Sequence, residues 1–149
     1  MATIEQAQGA RHAGILGLGS YRPSRVIPNS EVVEAIDSSD EWIQQRSGIK
    51  QRRWATPEET VQVMSVAAAR KALDRSSIDP RQIDCVIVAT VTHLIQTPAI
   101  ATAIAHELGT DQAAAFDISA ACAGFCHGVG MASDLVRAGS TPMTSSVLC

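Results

Sequence analysis

Two hydrophobic rhythms divide the chain. Ala13-Gly-Ile-Leu-Gly-Leu-Gly-Ser20 is a short apolar run that suits a strand and is closed by Pro23. Asn29 or Ser30 is placed to cap a short helix over residues 31–36, with acids near its start, and a second helical piece is predicted over residues 40–46, ended by Gly48. Thr56-Pro-Glu-Glu59 has the form of a capping box with Pro at the first helical position. The helix it should open carries Val61, Met64, Ala68, Ala72 and Leu73 at helical spacing. Arg70, Lys71 and Arg75 stand in its last turns, where cations suit the dipole.

Beyond that helix the apolar runs become continuous. Asp84-Cys-Val-Ile-Val-Ala-Thr-Val91 and Ala113-Ala-Ala-Phe-Asp-Ile118 read as strands buried on both faces, the signature of a parallel sheet covered by helices. Thr97-Pro98 repeats the cap-plus-proline start of a helix running to Leu108 and ended by Gly109; a third helix is predicted over residues 121–137, stopped by Gly139. Strand, helix, strand, helix in alternation predicts an α/β fold without internal repeats. A further strand should follow Gly139. The chain instead continues with Pro142 and a polar Thr144-Ser-Ser146 run, in which only Val147-Leu148 is strand-like. The sequence therefore divides into a loose leader (1–12), a main body (13–139) and an aberrant tail (140–149), with a sheet expected to be incomplete.

Composition narrows the classes. One domain's worth of chain, 149 residues, is 46% hydrophobic and 18% charged with a net charge of −3. That balance excludes a strongly basic nucleic-acid binder and a disordered chain. Aromatic residues make up only 3%, so the core must be built from Ala, Val, Ile and Leu. Cys85, Cys122, Cys126 and Cys149 show no disulfide framework, and the opening residues show no signal-peptide run. The longest uncharged stretch, 85–105, is broken by His93, Gln96 and Pro98, so neither a membrane span nor a secretory route is expected, and a cytoplasmic location is.

Candidate chemistry centres on Phe116-Asp-Ile-Ser-Ala-Ala-Cys-Ala-Gly-Phe125, where a buried strand passes through small residues into an Ala/Gly-rich helix. A cysteine at a helix N-terminus faces unpaired N–H groups and the positive end of the dipole, and both favour the nucleophilic thiolate. Small neighbours leave room for a carbonyl, and nearby backbone N–H groups suit an oxyanion. The alternative is that Cys122 is simply a small buried hydrophobe. Gly17-Leu-Gly19 with Asp37 begins a dinucleotide fingerprint, but the third glycine is missing and Pro23 and Pro28 stand where the helix must run. Cys122, Cys126 and His127 have no second ligand pair, so no metal is expected. His93 and His106 read as structural, and Asp37, Asp40 and Glu41 as cap and surface charges. Lys50, Arg52, Arg53 and Trp54 form a basic cluster on a predicted strand, which reads as a solvated edge.

Ala120-Ala-Cys-Ala-Gly-Phe125, Asp37-Ser-Ser-Asp-Glu-Trp-Ile43 with Arg46-Ser-Gly-Ile49, and Gly17-Leu-Gly-Ser-Tyr-Arg-Pro23 with Asn29 stand in order. Together they resemble β-ketoacyl-acyl-carrier-protein synthase III, of the thiolase-like superfamily, over roughly residues 13–139. The resemblance implies the N-terminal half of a thiolase-like fold, with helices packed on a mixed sheet. It also implies an acyltransferase that joins an acyl-CoA primer to malonyl-acyl-carrier protein, starting fatty-acid or polyketide chains. Cys122 matches the acyl-accepting cysteine. Trp42 matches a tryptophan stacking on the CoA adenine, Arg46 an arginine near the CoA phosphates, and Ser38 a small polar residue beside them. Thr97 falls in a segment that reaches the dimer interface and lines the partner's acyl pocket; a small residue there implies space for longer or branched primers. No bound cofactor is implied, since CoA enters with the substrate, and a homodimer is expected of the full-length form. The basic cluster would then aid CoA or carrier protein electrostatically. The His and Asn that stabilise the condensation enolate match nothing in 1–149, so a truncated or frameshifted sequence is expected. An inactive remnant, or a module that binds CoA or carrier protein without condensation, are the other readings.

Overall fold

Arg25–Pro28 (β1) and Gln51–Trp54 (β2) pair antiparallel, Arg25 opposite Trp54 and Pro28 opposite Gln51, and between them run the helices Asn29–Val33 (α1) and Asp40–Ser47 (α2). The computed structural model describes residues 9–140 and 146–148. The first eight residues of the expected leader, and Pro142, Thr144 and Cys149 of the tail, lie outside them. The described chain forms two units, residues 21–64 and residues 9–20 with 65–148.

In the smaller unit Ile27 and Ile43 are buried. α2 closes as its sequence predicts, with Gly48 in the left-handed region at φ 70°, and its N-cap is Ser39, whose Oγ accepts from the Trp42 N–H at 3.1 Å. α1 departs from expectation. Its N-cap is Pro28, without a side-chain bond, and the helix ends at Val33. Asn29 is only 2% exposed, and its amide is committed elsewhere. Nδ2 donates to Asp40 Oδ1 and to the Ile49 carbonyl, both at 2.7 Å, while Oδ1 accepts from Arg52 at 2.8 Å. A buried amide must satisfy two donors and an acceptor, and this one does so by tying α1, α2 and β2 together.

The predicted capping box forms only on its glutamate side, and without its helix; the Thr56 side chain bonds Glu58 instead. Glu59 Oε2 accepts from the Thr56 N–H at 2.8 Å, as the motif requires, but residues 56–59 make an isolated turn. Val61–Ser76 (α3) begins later, with the Val63 N–H donating to Thr60 Oγ1 at 3.2 Å. The other Glu59 oxygen is taken by the Tyr21 hydroxyl and the Ser24 N–H at 2.5 and 2.8 Å. With those demands on it, Glu59 fixes a loop rather than a helix start.

In the larger unit the buried line of α3 is Val66, Ala69 and Leu73; Ala68 and Ala72 of the expected stripe are half-buried. The Ala13–Ser20 run is not a strand: no strand lies beside it among the described residues, and Ile15, Leu16 and Leu18 are exposed. It runs along α3 so closely that a Cβ on Gly17 or Gly19 would collide with the carbonyl oxygens of Ala72 and Ala68. Arg75 and Lys71 from the same helix donate to the Leu18 and Ser20 carbonyls at 2.5 and 3.0 Å, satisfying backbone acceptors that a sheet would otherwise use.

Cys85–Ala89 (β3), Ile100–Leu108 (α4), Ala114–Ile118 (β4), Gly124–Ala138 (α5) and Ser146–Leu148 (β5) complete the unit. The sheet is parallel, ordered β4-β3-β5, so parallel and antiparallel pairings occur in separate sheets. From Cys85 to Val88 the central strand is fully buried, as its continuous apolar run predicts. α4 packs on β3 and β4, burying Ile100, Ala101, Ile104, Ala105 and Leu108, and α5 packs on β3 and β5. Val147 and Leu148, the strand-like pair of the tail, stand opposite Val86 and Ile87. On that side Val88 and Ala89 have no strand partner among the described residues.

Candidate active site

The chain leaves β3 toward β4 and then leaves β4 back across to β5. Adjacent parallel strands whose exits run in opposite directions open a crevice at their carboxyl ends, the usual ligand position in α/β sheets. Here the two exits are the 90–99 loop after β3 and the Ser119-Ala-Ala-Cys122 turn after β4, with Ala89 and Ile118 in register. Thr97 is on the first and Cys122 on the second, and both are exposed.

The Cys122 turn is unusually constrained. Ala121–Ala123 is a 3-10 turn leading into α5, and Ala121 sits at φ 44°, a left-handed conformation that residues with a Cβ rarely adopt. Strain of this kind persists only where the surroundings enforce it, and it gathers at functional turns. Here Gly124 seats the turn: a Cβ added to it would lie 3.1 Å from the Ala89 Cβ, so helix and sheet touch almost backbone to backbone. The result presents the Cys122 Sγ at the surface. Cys85, by contrast, is buried in β3, where desolvation pushes its thiol up from the ordinary cysteine value. Cys126 and His127 are exposed on α5.

The loop opposite is apolar and uncovered: Val91, Leu94 and Ile95 are exposed, Leu94 by 90%. Its helix does not start at Thr97-Pro98. α4 begins at Ile100, and its N-cap, Ala99, has no capping side chain. The missing cap is supplied from β4 by Asp117, whose Oδ2 accepts from the Ile100 N–H and Oδ1 from the Ala101 N–H, both at 2.9 Å. Sequence reasoning missed this residue, although a lone carboxylate inside an apolar strand is itself a signal, because a charge taken even partly out of water demands partners.

The smaller unit holds the other candidates together. Ser38, Trp42, Ile36, Asp37 and Ser39 line an open hollow of ≈ 420 Å³. Trp42 is 56% exposed, and the Arg46 guanidinium one helical turn on lies over its ring, 5.7 Å from the centroid. Ser38 Oγ is buried without a hydrogen-bond partner among the described residues. Asp40 braces the helix behind this face: bonds from Asn29 and then Gln44 hold its carboxyl below the usual range. Of the basic cluster, Arg52 bonds Asn29 and Arg53 bonds the Pro23 and Ser24 carbonyls, so these two are tied into the fold rather than free at an edge. Arg25, paired with Glu31, lies over Trp54.

The profile of the family described as thiolase, N-terminal domain, matches residues 44–147. β-Ketoacyl-[acyl-carrier-protein] synthase III 1 of Streptomyces coelicolor is 59% identical over 94% of this chain, and the Streptomyces glaucescens synthase III 56% over the same share. Among solved structures, the priming β-ketosynthase of the R1128 polyketide biosynthetic pathway superposes with a TM-score of 0.83 at 50% identity, covering 95% of this chain. The 3-oxoacyl-[acyl-carrier-protein] synthase III of Aquifex aeolicus does so with 0.80 at 38% identity over 85%. This chain spans about 41% of the length of these proteins, 41–42% for the two Streptomyces enzymes and 41% for both structures.

Proposed function

We propose, since this chain belongs to the thiolase family through its N-terminal domain, that it carries the acyl-accepting step of a β-ketoacyl-acyl-carrier-protein synthase III. The observation that carries this reading is the exposed Cys122 on a strained turn at the carboxyl end of β4. Its Sγ, as thiolate, attacks the thioester carbonyl of an acyl-CoA. A new carbon–sulfur bond forms at Cys122, the bond to the CoA sulfur breaks, and CoA leaves with the electron pair and takes up a proton. The Cys122 proton is lost to solvent before attack.

Trp42 and Arg46 hold the nucleotide end of CoA in this reading. The indole offers a flat face to adenine and the guanidinium its donors to phosphate, while the Ser38 hydroxyl, without a partner among the described residues, would bond the same ligand. Thr97 and the apolar 90–99 loop face the acyl chain, and in a homodimer the partner's. For the whole-length protein the activity is condensation of the acyl group with malonyl-acyl-carrier protein, in the cytoplasm, with neither nucleic acid nor membrane as partner. No helix among the described residues is long and apolar enough to cross a membrane.

Intact-mass spectrometry after incubation with acyl-CoA tests the reading. The expected result is a mass gain of one acyl group that is lost in Cys122→Ser. CoA binding without an adduct would reduce the chain to a binding module, and neither adduct nor binding would leave an inactive remnant.

A further inference from the structure

Both ends of the 90–99 loop are fastened to consecutive residues of β4. At its start the Thr90 N–H donates to the Ile118 carbonyl at 3.1 Å. At its end the Ile100 and Ala101 N–H groups donate to the two oxygens of Asp117 at 2.9 Å each. The first fastening is ordinary sheet bonding that any residue at 118 would make. The second depends on one side chain, because Ala99 gives α4 no cap of its own. β4 is also the strand that delivers Cys122 after four more residues, and the loop carries the uncovered Val91, Leu94 and Ile95 beside Thr97. One carboxylate therefore ties the end of an apolar loop to the strand that leads into the surface thiol.

We propose that Asp117 is a positioning residue, fixing which chain lengths reach Cys122 by holding the 90–99 loop to the strand that bears the thiol. That the chain is an acyl group rests on the synthase reading above; the mechanical coupling does not. Asp117 touches no reacting atom. It acts through the loop, so its loss changes discrimination between short and long chains more than it changes reactivity toward short ones.

The test uses maleimides, which need neither CoA nor a partner half-site. Alkylation rates of Cys122 with N-ethylmaleimide and N-octylmaleimide are read by peptide mass, with exposed Cys126 as internal control. Asp117→Asn gives up one of the two charge-assisted bonds, a loss worth about tenfold in an equilibrium. The long-to-short rate ratio at Cys122 should accordingly rise about tenfold, with the ratio at Cys126 unchanged. Adding Ala99→Ser gives α4 a cap of its own; it should restore the melting temperature and leave the altered ratio in place. A ratio within about twofold of the parent would overturn the proposal. So would its return to the parent value once Ala99→Ser restores stability, which would make Asp117 a helix cap and nothing more. Failure of both variants to fold would also overturn it, since Asp117 would then support the whole unit. The synthase reading is decided separately: an altered maleimide ratio with no acyl adduct on the parent chain keeps the coupling and removes the acyl substrate.

Discussion

Gly124 meets Ala89 where the helix that follows Cys122 crosses the central strand, and a Cβ at 124 would stand 3.1 Å from the one at 89. Ala89 cannot retreat far, because β3 is covered by α4 and α5. Alanine at 124 faces two opposed effects, a helix-propensity gain of about 1 kcal/mol and a packing cost of similar size. Gly124→Ala should therefore change stability little. Gly124→Val adds two more carbons to the same gap and should cost about 2–3 kcal/mol. It should also displace the Cys122 turn, slowing maleimide alkylation at Cys122 more than at Cys126. Urea titrations and thiol-alkylation rates of the two variants check both halves.

Tyr21 and Glu59 form a coupled pair whose contribution to stability has two pH limits. The Tyr21 bond is the first cause holding the Glu59 carboxyl below its ordinary value of 4.5, and the same bond raises Tyr21 above 10.0. A carboxyl depressed in the fold contributes stability above its unfolded value and loses it as pH falls through the folded one; a phenol raised in the fold contributes below its unfolded value and loses it as pH rises through the folded one. The stability difference between the parent and Tyr21→Phe should be largest between about pH 5 and 9 and shrink on both sides. Denaturation curves across pH 3–11 check this, and a difference independent of pH would rule the coupling out.

Asn29 illustrates what a linear reading of the chain conceals. Its place before a helical stretch gives it the look of a cap, yet three residues from three other segments converge on its amide. Asn29→Ala should cost about 2–3 kcal/mol, because it removes three bonds around a buried site at once. Asn29→Ser, with one hydroxyl, should recover only part. As α2 loses its brace on Asp40, the fluorescence of Trp42 should shift toward that of a solvated indole, measurable in a Trp54→Phe background.

The strands β3 and β4 and the helices α2 and α5 are legible in the sequence because their determinants are local: apolar runs and closing glycines. Elements whose determinants lie far along the chain are displaced or lost. α4 starts after its expected proline because its cap is Asp117, and α3 starts after its expected box because Glu59 is claimed by Tyr21 and Ser24. The Gly17-Leu-Gly19 run has its glycines for contact with helix carbonyls, which no spacing rule shows. Of the candidate site, the residue types and their order are in the sequence. The left-handed Ala121 and the fastening of the 90–99 loop to β4 emerge only once the sheet is assembled.

The Trp42–Arg46 pair makes the most direct test of ligand class. A nucleobase stacked on an indole contributes about 1–3 kcal/mol, judged by alanine substitution. Trp42→Ala should weaken CoA binding by that amount and leave untouched the affinity for a pantetheine thioester, which lacks the nucleotide. Arg46→Ala should weaken CoA too, but with a different signature. It removes a phosphate partner, so affinity should depend less on salt than in the parent, while Trp42→Ala leaves the salt dependence intact. Both variants should keep the parent melting temperature, since both side chains stand on the open face of α2. Equal losses for CoA and pantetheine in Trp42→Ala would mean that the indole meets the acyl arm instead, and the hollow beside Ser38 would then hold the pantetheine rather than the base.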